Sequence, residues 1–170
     1  PSSLNGLFTV KDGTVTIGQN AFANCTEISE IILPLSVKTI ESYAFSGCEN
    51  LLALTLHEGI TAIQEYAIYK CNSLTELTIP STVTELNCAV SNCSNLKKIV
   101  ISDNSTLSLD GSIASYCDSL ETVIIGTGVS EFPINTLYEC SSLKYIIIRG
   151  NITKMDYSAF WNTPSDRKFL

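Results

Sequence analysis

The chain is poor in the residues that most often do chemistry. It has one histidine, His57, one tryptophan and one methionine in 170 residues. General acid–base work needs a base placed by a third group, and His57 has only Glu58 beside it, which does not by itself make a catalytic pair. No glycine-rich phosphate loop and no pair of catalytic carboxylates is present. Positive charge is also scarce. Ten Lys and Arg stand against 17 Asp and Glu, for a net charge of −7. A nucleic-acid partner needs a basic face to neutralise phosphates, so that class is excluded, as is electrostatic docking on anionic lipid. No run of about 18 apolar residues exists, so no membrane insertion is expected. The chain starts at Pro1 without a basic-then-apolar leader, as expected of a processed or trimmed product.

What the chain has in quantity is cysteine, and the cysteines are periodic. Cys25, Cys48, Cys71, Cys93, Cys117 and Cys140 follow one another at steps of 23, 23, 22, 24 and 23 residues, and Thr163 takes the next place. Only Cys88 falls outside the series. Aliphatics keep the same beat. Six residues after each cysteine come Ile31, Leu54, Leu77, Ile99, Val123 and Ile146, and eight after come Leu33, Leu56, Ile79, Ile101, Ile125 and Ile148. Apolar residues two apart around a free position are the signature of a strand with one buried face. A second apolar pair follows in each turn, then a small-plus-large pair such as Ala21-Phe22, Ala44-Phe45, Ala67-Ile68, Ala89-Val90 and Ala159-Phe160. That pair is expected on a single helical or 3₁₀ turn.

One such unit cannot bury its own apolar face, but stacked units place like residues over like residues in a continuous core. The pattern therefore predicts a repeat solenoid, α/β to mainly β. It is read as a right-handed stack of about seven turns with a parallel β-sheet face and short 3₁₀ or helical turns, as one domain over residues 1–170. Neither end carries a distinct polar cap, as expected of a fragment of a longer array or of degenerate caps.

The spacing Cys-x-x-Leu-x-x-Leu-x-Leu matches the leucine-rich-repeat signature. The stretches Ile28 to Cys48 and Leu74 to Cys93 resemble the BspA-like class of these repeats, and the resemblance runs from about Phe8 to Phe160. It implies a surface or secreted protein of a host-associated microbe that adheres to host matrix or cell-surface proteins. It is specific for fold and much less so for function.

Two turns depart from the rule. The turn ending at Cys93 is one residue short, and Cys88 replaces the tyrosine found at Tyr43 and Tyr66. The turn ending at Cys117 is one residue long, carries the polar run from Ser102 to Thr106, and reads Ile113-Ala114 where the others read small-then-large. A local bulge is expected over residues 102–112. The repeat cysteines are expected as reduced, packed thiols, because neighbouring Cβ vectors in a ladder run parallel rather than toward each other. Cys88 is expected to be the more reactive thiol. The nearest cysteine pair, Cys88 and Cys93, has no second pair and no nearby histidine, so no zinc site is read. Asp103, Asp110 and Asp118 lack the close acidic spacing of a calcium loop. No catalytic residue, metal or cofactor is assigned.

The candidate partner surface lies between the buried positions. One outward column reads Ile32, Thr55, Thr78, Val100, Ile124 and Ile147, and a second reads Glu30, Ala53, Glu76, Lys98, Thr122 and Tyr145. β-Branched residues suit an exposed sheet and stabilise its ladder. The alternative is that Val100, Ile124, Ile147 and Tyr145 form an apolar stripe of the kind that binds a partner. Three uses follow: a protein-binding module, self-association through the same face, or a spacer that presents another domain.

Overall fold

The computed structural model describes residues 6–103, 107–109 and 111–170. The chain is a mainly-β solenoid of about seven turns with three strand-bearing flanks and, among the described residues, no helix.

The first flank carries the widest strands: β1 (Leu7–Thr9), β3 (Glu30–Ile32), β5 (Ala53–Leu54), β8 (Glu76–Ile79), β11 (Lys98–Ile101), β14 (Thr122–Ile125), β17 (Tyr145–Ile148) and β19 (Lys168–Phe169). The second carries two-residue strands: β2 (Thr16–Ile17), β4 (Thr39–Ile40), β6 (Ala62–Ile63), β9 (Glu85–Leu86), β12 (Ser108–Leu109), β15 (Glu131–Phe132) and β18 (Lys154–Met155). The third is a four-stranded ladder of β7 (Ile68–Tyr69), β10 (Val90–Ser91), β13 (Ala114–Ser115) and β16 (Leu137–Tyr138). Every pairing is parallel, one turn on the next, as in Ile99 against Leu77 and Val123.

The expected helical turn at the small-plus-large pair does not form. Left-handed residues flank the pair: Tyr43 (φ 58°) and Gly47 (φ 71°) around Ala44-Phe45, and Tyr66 (φ 54°) and Lys70 (φ 53°) around Ala67-Ile68. A left-handed residue stops a right-handed helix from propagating. Every turn repeats at least one of the two corners. One series of such corners includes Asn20, Tyr43, Tyr66, Cys88 and Asn135. The other includes Asn24, Gly47, Lys70, Asn92, Tyr116, Glu139 and Asn162. Asn and Gly tolerate this conformation, whereas a tyrosine there costs on the order of 1 kcal/mol.

Packing down the axis is column on column. Phe22 stacks on Phe45 at 5.5 Å, and the column continues as Ile68, Val90, Ala114 and Leu137. The reversed pair of the long turn is a swap: Ala114 takes the large place and Ile113 the small one, and both are fully buried. Nearby, Phe132 in the second flank is buried and meets Phe160 edge-on at 5.5 Å. At the C-terminal end the Arg167 guanidinium lies over both Phe160 and Phe169, at 5.0 and 5.6 Å.

The residues Asn104, Ser105, Thr106 and Asp110 of the expected bulge lie outside the described residues. The parts that are described show how the extra length is seated. A Cβ on Gly126 would sit 2.7 Å from the Ile101 carbonyl oxygen and closer still to that of Ser102. Thr127 N–H donates to Asp103 Oδ1 at 3.1 Å. The long turn leans onto a position that must lack a side chain.

All seven cysteines are free. The repeat thiols reach back one turn to the carbonyl of the large-residue column: Cys48 to Phe22 at 3.1 Å, Cys71 to Phe45 at 3.2 Å and Cys93 to Ile68 at 3.5 Å. The position asks for a small buried donor, and a thiol is one. Burial pushes the Cys48 thiol up to about 12, with the neighbouring Cys25 adding to it. At Cys93 a bond from Cys117 lowers the value, but its bond to Cys71 and burial outweigh that and bring it to about 12. Burial also raises Cys140.

Two expectations follow from this packing. Gly126→Val should destabilise the chain by about 2–3 kcal/mol in a denaturant titration, through overpacking against the Ser102 carbonyl. The second concerns alkali. The folded chain holds thiol protons that an unfolded chain releases from the ordinary value of 9.0 upward. The thiols' stabilisation is therefore complete below about pH 9 and lost as pH rises toward 12. Thermal melts from pH 8 to 11 should fall steeply, and a Cys48→Ala/Cys93→Ala variant should fall less steeply from a lower start.

Candidate partner-binding face

The two outward columns inferred from the repeat exist as columns on the first flank. Lys98 pairs with Glu76 and Thr122, which pairs with Tyr145. Val100 pairs with Thr78 and Ile124, which pairs with Ile147. Ile32 lies 44% exposed and Tyr145 39% exposed, while Val100, Ile124 and Ile147 are only half-buried. The C-terminal stripe is thus packed among its neighbours rather than laid open. Its charges are matched turn to turn, Lys98 to Glu76 at 3.8 Å and Lys144 to Glu121 at 3.0 Å. Exposed pairs of this kind contribute little to stability.

The structure also divides the columns. The first flank is two sheets, β1-β3-β5 and β8-β11-β14-β17-β19. Elsewhere the ladder is continuous across this point: Thr122 and Glu121 N–H both donate to the Lys97 carbonyl, and Lys98 and Lys97 N–H to that of Thr75. The equivalent donors one turn earlier, Thr75 and Glu76 N–H, make no such bond to Leu52 among the described residues. The two other flanks stay paired at this level, Ala62 to Glu85 and Ile68 to Val90. The stack is therefore opened on one side only.

The opening is a slot of about 390 Å³. Ala53, Thr55, Thr75, Glu76 and Thr78 stand at its mouth, and Leu54, Leu56 and Leu77 form its apolar floor. Of the residues singled out in sequence, Thr55 and Thr78 face each other across it. Ile32 lies on one side, and Lys98, Val100, Thr122, Ile124, Tyr145 and Ile147 lie on the other. Leu52 and Thr75 were not singled out. The repeat is regular through the slot, so no spacing signal marks it.

The titratable groups do not gather here. Glu58 turns its carboxylate to Ser81, accepting from its hydroxyl at 2.7 Å and its N–H at 3.2 Å. Those bonds hold its carboxyl below the usual range. His57 points Nδ1 at the Glu58 carbonyl, 2.9 Å away. Asp118 accepts from the Ser141 hydroxyl at 3.4 Å, and Asp103 from Thr127 N–H. Asp110 lies outside the described residues. Among the described residues no three His, Cys, Asp or Glu side chains are grouped to hold a metal, and no helix is long and apolar enough to cross a membrane.

Stacked parallel strands, periodic aliphatics and an outward face of variable residues define a leucine-rich-repeat solenoid. The chain belongs to the family described as BspA type leucine rich repeat region, which matches in six copies over residues 3–108 and 87–169. Comparison with curated proteins gives no match. Among solved structures the chain is similar to the leucine rich repeat protein of T. pallidum, with 24% identity and a TM-score of 0.75, covering 89% of this chain and 73% of that one. It is similar to a leucine rich cell surface protein of Faecalibacterium prausnitzii, with 20% identity and a TM-score of 0.60, covering 96% of this chain and 58% of that one. It is also similar to the pneumococcal vaccine antigen PcpA, with 18% identity and a TM-score of 0.66, covering 96% of this chain and 35% of that one. These likenesses establish the fold. The chain spans less than two thirds of each of the last two proteins, 58% and 35%.

The break in the ladder has a direct consequence for hydrogen exchange. Thr75 and Glu76 amides should exchange at least about tenfold faster than those of Lys97, Lys98, Glu121 and Thr122 in the native chain. Equal protection across the three turns would mean that the slot is closed in solution.

Proposed function

We propose that this chain is a non-enzymatic protein-interaction module, an adhesin-type domain of a cell-surface or secreted protein that binds a host or cell-surface protein on its first flank. The observation that carries the reading is the slot between β5 and β8. An extended segment presents main-chain donors and acceptors at the period of a strand, and a sheet edge with unmatched groups is where such a segment adds. Thr75 and Glu76 offer N–H groups there, small and hydroxylated side chains leave the mouth open, and a floor of leucines receives an apolar side chain. The likeness to a leucine rich cell surface protein and to a vaccine antigen supports the location. The engagement of Glu58 and Asp156 in turn hydrogen bonds, with Ser81 and Ser158, fits carboxylates that serve the fold rather than chemistry.

The test is binding of the purified chain to a panel of matrix glycoproteins and polysaccharides, beside a Thr55→Arg/Thr78→Arg variant whose fold is checked by circular dichroism. Both positions are exposed, so the variant should fold, and the two long side chains should fill the mouth of the slot. A panel protein bound by the parent and weakened about tenfold or more by the variant supports the reading. A parent that binds no protein of the panel favours the spacer reading instead.

A further inference from the structure

The third flank carries a feature that the first does not explain. Five tyrosines form a belt across it. Tyr69 and Tyr138 come from the strands β7 and β16, and Tyr43, Tyr66 and Tyr116 from the left-handed corners beside them. Ring centroids lie 5.4 Å apart for Tyr43 and Tyr66, 5.9 Å for Tyr66 and Tyr69, and 5.2 Å for Tyr116 and Tyr138. Between the two groups the strand positions shrink to Ser91 and Ser115, which are buried and bonded to each other at 3.0 Å. The ladder register runs Tyr69, Ser91, Ser115, Tyr138, so the serines lie between the two groups. The Tyr66 hydroxyl is held above its usual range first by burial, then by Glu65, Cys88, Tyr43 and Tyr116.

The fold does not ask for these rings. Three of the five sit at corners with φ near 55°, where other turns place Asn20, Asn24, Gly47, Asn92, Asn135 and Asn162 at lower steric cost, and where Lys70, Cys88 and Glu139 share the strain. Strain kept where a relaxed alternative recurs in the same chain points to use of the side chain. The belt already attracts a cation: Lys70 Nζ stands 5.3 Å from the Tyr69 ring centroid. Glu65 and Glu139 adjoin the belt at Tyr66 and Tyr138, and the ion pairs among the described residues lie elsewhere. The whole chain carries −7. Aromatic faces beside carboxylates on an acidic body suit guanidinium and ammonium groups.

We propose that the tyrosine belt is a second binding surface, which takes an arginine- or lysine-rich segment of a protein partner. A glycan is the less suited occupant. A neutral sugar carries no charge to match Glu65 and Glu139 beside the belt or the net charge of −7, whereas a cationic segment does.

The probe is a fluorescent oligoarginine peptide, followed by anisotropy at physiological salt against the 170-residue chain. A Tyr43→Asn/Tyr66→Asn/Tyr116→Asn variant keeps the net charge and should melt no more than a few degrees from the parent, because relief at the corners offsets lost ring contacts. It should bind the peptide about tenfold more weakly. Glu30→Gln/Glu76→Gln removes two charges from the first flank and should change binding less than about twofold, as should Thr55→Arg/Thr78→Arg. Those two controls separate this site from the slot. If the triple variant does not fold, Tyr116→Asn alone should weaken binding about threefold. Equal binding by parent and folded tyrosine variant overturns the proposal, since the attraction would then be general charge. So does a parent that ignores the peptide or binds cello-oligosaccharide in its place.

Discussion

Everything in this molecule depends on one constraint: each turn must lie on the next at the spacing of a parallel strand ladder, with the same kind of side chain at the same angular position. Main-chain bonds hold that spacing on three flanks, and inward columns of aliphatics, phenylalanine and thiol fill the space between them. A single turn has no core of its own. The ladder bonds set the distance at which Leu54 can cover Ile31, and the columns keep the ladder from sliding. The thiols show how tight the arrangement is. The donor on Cys71 belongs to one turn and its acceptor, the Phe45 carbonyl, to the turn before, so a residue larger than cysteine would push the two turns apart.

That constraint makes the architecture easy to read from the amino acids and the surface hard. Cysteines spaced by about 23 residues fix which residues stack, so the columns Val100–Ile124–Ile147 and Lys98–Thr122–Tyr145 could be written down before any coordinate. Ala-Phe reads as a helix-compatible pair, while the residues that decide against a helical turn are the corners on either side. Asn20, Asn24 and Gly47 are of residue types that adopt a positive φ readily. Tyr43, Tyr66 and Lys70 are not, since nothing in their chemistry announces a positive φ. The order Ile113-Ala114 breaks the pattern in sequence, whereas in three dimensions the swap keeps its layer filled.

The slot between β5 and β8 was illegible for a different reason. A repeat describes what neighbouring turns share, and the slot is a difference in how far apart two of them stand on one side only. The second and third flanks remain in register there, through Ala62 with Glu85 and Ile68 with Val90. The opening therefore leaves the core closed while it frees main-chain groups toward solvent. Such a gap is tolerable because those groups find water outside. Inside the core, an unmatched N–H would cost about 1–3 kcal/mol.

A solenoid separates the residues that hold it from those that are free to vary. Inward columns allow few residue types, and the corner positions ask for Asn or Gly on backbone grounds alone. Where a corner departs from that rule, as at Tyr43, Tyr66 and Tyr116 and also at Lys70, Cys88 and Glu139, the backbone gains nothing and the surface gains a side chain. Where an outward strand position keeps a β-branched residue, as at Val100, Ile124 and Ile147, the ladder gains and the residue is half covered by its neighbours. The two cases look alike in sequence, both being bulky residues at outward places. They separate on whether local backbone physics favours the residue or opposes it, and the residues it opposes are the stronger evidence for a partner.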